Sequence, residues 1–189
     1  MNSIYFEKKG RTNTVDTLTH AYNVAKEEKI NTIIIASTAG ASALEAIKIF
    51  NDSFHLVIVT HQDGFRDIGN EFPASIKDEI RQKRPSTIFH TGTHAFAGLE
   101  RSFRLTHQTW LPIEMIAITL RKCFGEGTKV CMEMAIMASD AGIIDTTKDL
   151  ISIAGTGRGL DTAWLVKPSY SNNLFDLKMK VPICKPRNF

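Results

Sequence analysis

Short apolar runs alternate with stretches of helical periodicity along nearly the whole chain. Residues 32–36 and 55–60 are apolar or β-branched almost throughout, which is typical of strands buried on both faces of a sheet. Shorter runs of the same kind lie at residues 4–6, 87–89, 150–154, 163–166 and 177–184. The pattern predicts strands separated by helices, as in an α/β fold with a mostly parallel sheet.

Apolar residues recur at helical spacing between these strands. They predict helices at residues 15–25, 44–50, around 76–80, 112–125 and 130–138. The fourth helix is expected to place four apolar residues on one face, namely Ile113, Ile116, Ala117 and Leu120. Residues 61–69 are predicted to form a polar loop, and residues 95–108 give mixed helical and loop signals.

Local signals add three expectations about the second half of the chain. Thr128 is the expected N-cap of the helix at 130–138, and Gly142 is its expected C-terminal cap. The last two strands are joined across turn-forming residues 168–173. They are therefore expected to pair antiparallel with each other and to run opposite to the first set.

Composition narrows the class of protein. The chain has 189 residues, 43% of them hydrophobic, which is enough for one core, so residues 1–189 are predicted to form a single domain. Lys and Arg number 23 against 20 Asp and Glu, without a basic stripe, so nucleic acid is not an expected partner. Three unpaired cysteines and the lack of a signal peptide or membrane-length apolar run predict a cytoplasmic protein with no membrane association.

The most informative segment is the small-residue loop between the strand at 32–36 and the next helix. Glycine and alanine let backbone N–H groups approach an oxyanion, and the helix adds its positive N-terminal end. The hydroxyls of Ser37, Thr38 and Ser42 flank Gly40 and Ala43. The loop predicts an anion site, and the alternative is that Gly40 serves a turn while Ser42 caps the helix.

A second loop, rich in glycine, follows the strand at 150–154. It contains Gly155, Thr156, Gly157, Arg158, Asp161 and Thr162. An arginine flanked by glycines can donate two charge-assisted hydrogen bonds to phosphate or carboxylate, and the alternative is an exposed surface arginine. The glycine spacing is not the dinucleotide-binding pattern, because a strand rather than a helix is predicted to follow.

Ligands of open α/β sheets bind beyond the carboxyl ends of the strands, where all these loops are predicted to lie. The sequence therefore predicts one composite cleft. Its candidate ligand-binding residues are Asn13, Thr14, Ser37, Thr38, Gly40, Ser42, Ala43, His61, Gly64, Gly92, His94, Gly155, Thr156, Gly157, Arg158, Asp161 and Thr162.

Histidines in these loops are candidates for acid–base chemistry. His90 and His94 have the spacing of metal ligands on a helix, but the residues between them predict a loop, so no metal site is expected. Either imidazole, or that of His61, is a candidate general acid or hydrogen-bond donor. Glu133 is unusual in its apolar helix: an outward position is expected, and a buried, functional carboxylate is the alternative. No catalytic residues are assigned.

Five segments together carry a resemblance to a known family: residues 13–14, 35–43, 92–95, 130–133 and 155–163. With these motifs the chain resembles the C-terminal α/β domain of pyruvate kinase. More closely, and over nearly its whole length, it resembles small stand-alone archaeal and bacterial proteins classed as pyruvate kinase C-terminal-domain-like. The resemblance implies a three-layer α/β/α fold with a mostly parallel sheet and antiparallel C-terminal strands.

The resemblance also implies a ligand class. In many pyruvate kinases the loop corresponding to residues 37–43 binds a sugar bisphosphate, and a glycine-rich loop corresponds to residues 155–162. A phosphorylated small molecule is thus implied, without pyruvate kinase activity, because the catalytic barrel has no counterpart here. Flavin mononucleotide (FMN) is one candidate, with Phe65, Phe96 or Trp164 against its ring.

The sequence leaves three hypotheses about function open. The first is a protein that binds a phosphorylated metabolite or FMN without converting it. The second is a small enzyme, either a flavin-dependent oxidoreductase or an enzyme that processes phosphate esters through His61, His90 or His94. The third is a structural role. A homo-oligomer is compatible with all three hypotheses.

Overall fold

The computed structural model describes residues 2–66, 69 and 71–189, so Asp67 and Ile68 of the predicted polar loop lie outside the described residues. Within this part of the chain seven strands form one sheet: β1 (Ile4–Phe6), β2 (Thr32–Ala36), β3 (His55–Val59), β4 (Ile88–His90), β5 (Leu150–Ala154), β6 (Thr162–Lys167) and β7 (Lys178–Pro186). The helices are α1 (Thr14–Glu27), α2 (Ala41–Ile49), α3 (Ala74–Lys83), α4 (Glu100–His107), α5 (Pro112–Phe124) and α6 (Glu126–Asp140).

The strands lie in the order β1-β7-β6-β5-β2-β3-β4. Pairing is parallel between β2 and β3, β3 and β4, β2 and β5, and β1 and β7. β6 runs antiparallel to both of its neighbours, and β7 turns back to the direction of β1. The expectation that the final strands run opposite to the first set therefore holds for β6 and is wrong for β7, because two strands that pair antiparallel with each other cannot both do so. The predicted α/β fold with a mostly parallel sheet and antiparallel pairing at its C-terminal end is confirmed.

Alternate residues of the central strands supply two hydrophobic cores, one on each face of the sheet. In β2, Ile33 and Ile35 pack with apolar residues of α1, α2 and α3. Ile34 points the other way and packs with residues of α5 and α6. All three isoleucines are fully buried, and each contributes roughly 2–3 kcal/mol of transfer free energy. The helices therefore cover both faces, which gives three layers.

Two local expectations about the helices differ from the structure. α6 begins at Glu126 with Gly125 as N-cap, because Gly125 adopts φ 101° and reverses the chain directly after α5. Thr128 is therefore inside the helix, where its hydroxyl donates to the carbonyl of Phe124. In α5, Ile113 and Ile116 are partly exposed and Glu114 is buried instead, because Arg104 of α4 holds its carboxylate.

Among the helices of the described residues, none has the length and apolarity needed to cross a bilayer. No group of three or more His, Cys, Asp or Glu side chains in the described part of the chain has the arrangement of a metal site.

We predict that Gly127→Ala destabilises the protein, although alanine normally stabilises a helix by about 1 kcal/mol relative to glycine. α6 approaches β6 so closely that a Cβ at Gly127 would overlap the hydroxyl of Thr162 and lie 2.5 Å from its Cβ. Overpacking of this kind costs roughly 1–3 kcal/mol. Urea unfolding of the two proteins measures the difference, and an increase in stability would contradict the close approach.

Candidate functional site

Strand direction brings the predicted loops to one edge of the sheet. β2, β3, β4 and β5 are mutually parallel, so their carboxyl ends lie side by side. β1 runs in the same direction, and β6 begins at this edge because it is antiparallel to β5. We refer to this side of the molecule as the carboxyl edge.

The connections change side between β3 and β4, because β3 leads to α3 on one face and β4 leads to the helices on the other. A crevice is expected at such a point. A cleft of about 370 Å³ lies there, lined by Thr60, Asp63, Phe72, Ala74, Lys77 and Thr91. It is one strand away from the small-residue loop after β2, whose residues do not line it.

The loop after β2 has the geometry of a helix start. Gly40 is the N-cap of α2 in the left-handed conformation, with φ 90°, and a Cβ there would lie 2.6 Å from Ile76 of α3. Ser37 Oγ accepts from the N–H of Ala43 at 3.3 Å. Ser37 and Ser42 are mostly buried, and Ala43 lies fully in the core. The N–H groups of Ala41 and Ser42 precede the first intrahelical hydrogen bond and are directed out of the helix start.

A buried carboxylate organises the glycine-rich loop after β5. Asp161 is fully buried, and its Oδ2 accepts from the backbone N–H groups of Gly10 at 2.8 Å and Thr156 at 3.1 Å. Its Oδ1 accepts from the Thr162 hydroxyl at 2.7 Å. A Cβ on Gly155 would overlap the carbonyl oxygen of Gly159. Asp161 and Thr162 therefore hold the shape of the loop.

The start of α1 packs against this loop. Thr14 Oγ1 accepts from the N–H of Leu160 at 3.1 Å and donates to the carbonyl of Arg11 at 2.7 Å. Asn13 Nδ2 donates to the carbonyl of Lys8 at 2.6 Å. Gly157 and Arg158 are the most exposed members of this group, and Gly155, Thr156 and Gly159 are partly exposed.

Thr156 differs from its neighbours in one respect. Its Oγ1 is buried and has no hydrogen-bond partner among the described residues. An unsatisfied buried hydroxyl is unusual and costs about 1–3 kcal/mol. The glycine-rich loop therefore contains a donor that is available to an oxygen of a ligand.

His61 joins the loops after β2 and β3. Its Nδ1 lies 2.8 Å from Glu71 Oε1, and its Nε2 lies 3.4 Å from the hydroxyl of Thr38. A carboxylate on one ring nitrogen fixes the orientation of an imidazole and leaves the other nitrogen directed at the hydroxyl. Glu71 was not identified from the sequence, because its proximity to His61 depends on the path of the loop after β3.

His94 packs against residues of the β3 loop. Its ring stacks on Phe65 with centroids 4.8 Å apart and an interplanar angle of 10°, and its Nε2 accepts from the N–H of Gln62 at 3.5 Å. Nδ1 lies 3.7 Å from Glu133 Oε2. Burial lowers the pKa of His94 to about 4, although the carboxylate of Glu133 opposes this shift. At neutral pH the imidazole is therefore uncharged.

Two glycines of this part of the edge have local roles. Gly64, with φ 71°, bonds through its N–H to the carbonyl of Gly69 at 2.9 Å. A Cβ on Gly92 would lie 2.8 Å from His90 Nε2, so Gly92 leaves room for that ring. Burial lowers the pKa of His90 as well.

Glu133 points inward, so the expected outward position is wrong. It is 2% exposed, and its carboxylate accepts from the N–H of Phe96 at 2.8 Å and from Lys129 Nζ at 2.5 Å. Lys129 is 1% exposed. Burial lowers the pKa of Lys129, and its pairing with Glu133 opposes that effect. The sequence signal for this pair was two opposite charges four residues apart in an otherwise apolar helix.

No protein-family model matches the chain. Among solved structures, the chain is similar to Cryptosporidium parvum pyruvate kinase in complex with ADP, with 12% sequence identity and a TM-score of 0.44. The match covers 82% of this chain and 24% of that enzyme, so the chain spans about a quarter of its length. At this TM-score the match assigns neither family nor activity, and the family resemblance stays a prediction.

We predict that His94 makes stability fall with decreasing pH. Between pH 6.5 and about 4 the unfolded chain binds a proton at this residue and the folded protein does not, so the free energy of unfolding decreases as the pH falls through that window. The loss amounts to roughly 3 kcal/mol at most. In His94→Gln this part of the pH dependence is expected to disappear, whereas His107→Gln, a change at an exposed histidine of α4, keeps it. Urea unfolding at several pH values measures the effect, and identical slopes in all three proteins would contradict it.

Proposed function

We propose that this protein binds a phosphorylated small molecule at the carboxyl edge, with the phosphate between the loops after β2 and β5. The observation that carries the proposal is the buried, unpartnered hydroxyl of Thr156. β2 pairs parallel with β5, so the start of α2 and the glycine-rich loop leave adjacent strands. Phosphate oxygens accept from hydroxyl and backbone N–H donors, and a helix start favours their negative charge. Arg158 adds an exposed guanidinium.

Of the candidate ligands, FMN would contact the largest part of the carboxyl edge. A phosphate at the β2 and β5 loops leaves the remainder of the molecule to extend toward β3 and β4, where the cleft of about 370 Å³ lies. Phe65, in the loop after β3, is the aromatic candidate on this side, but it already stacks on His94 and has Arg101 4.3 Å from its ring centroid, so a flavin ring would have to displace one of them. Phe96 is buried, and Trp164 packs with the core beneath α6. A sugar bisphosphate is the alternative ligand.

We predict that Arg158→Gln weakens phosphate-dependent stabilisation. Thermal unfolding in the presence of FMN, a sugar bisphosphate or inorganic phosphate identifies the preferred ligand, because a ligand of the native state raises the melting temperature. Loss of one charge-assisted contact is expected to weaken binding about tenfold. Lys148→Gln is the matched control, since it removes one positive charge just before β5, at the opposite edge. Absence of stabilisation by all three ligands would overturn the proposal.

We predict that Thr156→Val weakens phosphate binding without destabilising the free protein. Without ligand, removal of an unpartnered buried hydroxyl is expected to leave stability unchanged or raise it by about 1 kcal/mol, while phosphate binding weakens. Thr162→Val is the matched control, because that hydroxyl donates to Asp161 and its loss destabilises the free protein. Chemical unfolding with and without ligand separates the two effects. Equal destabilisation by both variants would argue for a structural role of Thr156.

A second function, hydrolysis of a phosphate ester, is favoured by the arrangement of Glu71, His61 and Thr38. A carboxylate, an imidazole and a hydroxyl in sequence allow His61 Nε2 to take a proton from the hydroxyl or from a water molecule, while Glu71 stabilises the imidazolium. The start of α2 would then face the developing charge on the phosphate.

We predict that His61→Gln lowers the hydrolysis of p-nitrophenyl phosphate by about 100-fold or more if this second function is correct. His55→Gln is the control: His55 lies at the amino end of β3, the strand that precedes the His61 loop, and its Nε2 bonds to the carbonyl of Ile143 at 2.8 Å. Release of p-nitrophenolate is followed by absorbance. A wild-type rate equal to that of buffer would rule out this function and leave ligand binding.

A further inference from the structure

A second, smaller pocket lies between α4, α5 and α6, away from the loops after β2 and β5. Its volume is about 50 Å³. Four cationic side chains line it, and we call it the arginine pocket: Arg101, Arg104, Arg121 and Lys129. Phe96, Ala117 and Ile118 contribute apolar wall, and Trp110, half exposed, lies at its edge.

The charges of the arginine pocket are only partly compensated. Arg104 Nε lies 2.9 Å from Glu114 Oε2, and Lys129 is paired with Glu133. Within the described residues, no carboxylate lies within 4.0 Å of Arg101 or Arg121. The remaining titratable lining group, His94, is uncharged at neutral pH. The pocket therefore has a net positive charge.

Lys129 makes the strongest argument for an anion. Its ammonium group has three donors, and among the described residues its one side-chain hydrogen bond is to Glu133. The side chain is 1% exposed and lies over the ring of Phe96, 5.7 Å from the centroid. Unfilled donors of a buried cation are costly. Since Lys129 lines the pocket, an oxyanion there would accept from it.

We infer that the arginine pocket binds a compact organic anion, with its carboxylate or phosphate group inside and a small planar group against Trp110. A volume of about 50 Å³ suits the oxyanion group alone. Trp110 already packs under a cation, with Arg104 4.9 Å from its ring centroid, and half of its surface is exposed. The lining of this pocket includes His94 and Phe65, which the FMN hypothesis also uses, but neither Thr156 nor Arg158, so an anion can bind here without the phosphate contacts proposed above.

The test is titration with benzoate and with phenyl phosphate, which share the ring and differ in the acid. Isothermal titration calorimetry measures both, and the tighter ligand identifies the preferred oxyanion. Arg121→Gln is expected to weaken its binding about tenfold. Lys122→Gln is the matched control, because it removes the same charge from the next residue of α5, which does not line the pocket. Both side chains are exposed, so both variants should fold.

Three results would overturn the inference. They are no saturable binding of either probe, equal weakening by Arg121→Gln and Lys122→Gln, and loss of probe binding in Arg158→Gln. The last result would place the anion at the glycine-rich loop. Retention of probe binding in Arg158→Gln, with loss in Arg121→Gln, supports a separate pocket whatever the outcome for FMN.

Discussion

The side of the molecule around α6 depends on the ion pair and the hydrogen bonds of the buried Glu133 carboxylate. This carboxylate connects α6 to the segment after β4 through the N–H of Phe96, neutralises Lys129, and lies 3.7 Å from the ring of His94. Removal of one member of a buried ion pair typically costs about 3–5 kcal/mol, because the other charge is left without compensation. An apolar side chain at this position would leave both the lysine and the amide unsatisfied. The arginine pocket and the stack of His94 on Phe65 therefore both depend on Glu133.

Asp161 has a corresponding role on the other side of the carboxyl edge. It is fully buried, yet it is satisfied by hydrogen-bond donors, chiefly backbone N–H groups, rather than by a cation. Gly10, which donates to it, follows β1, whereas Thr156 follows β5. Asp161 thus connects two loops that are about 150 residues apart in the chain. The two carboxylates use the same principle, satisfaction of a buried charge, to hold different kinds of surface in place.

The sequence predicted the strands and most helices because their signals are local. The apolar run at residues 32–36 and the helical spacing around Ile80 can each be recognised within a window of about ten residues. The glycine-rich loop was also recognisable, although the internal roles of Thr14 and Asp161 were not, because their partners are distant in the chain. Glu71 beside His61, and Arg121 beside Lys129, become neighbours only through tertiary packing. The burial of Glu133 likewise depends on the path of residues 95–108, which local signals left unassigned.

The carboxyl edge consequently has two chemically different halves. Around β5 and β2 it offers backbone N–H groups and hydroxyls, which suit a fixed anion and change little with pH. Around β3 and β4 it offers imidazoles, carboxylates and an aromatic ring, which can exchange protons or pack against a planar group. The contact between Thr38 and His61 joins the halves. A phosphorylated molecule held by the first half would therefore extend its reactive or aromatic part toward the second, and this arrangement is compatible with either of the two proposed functions.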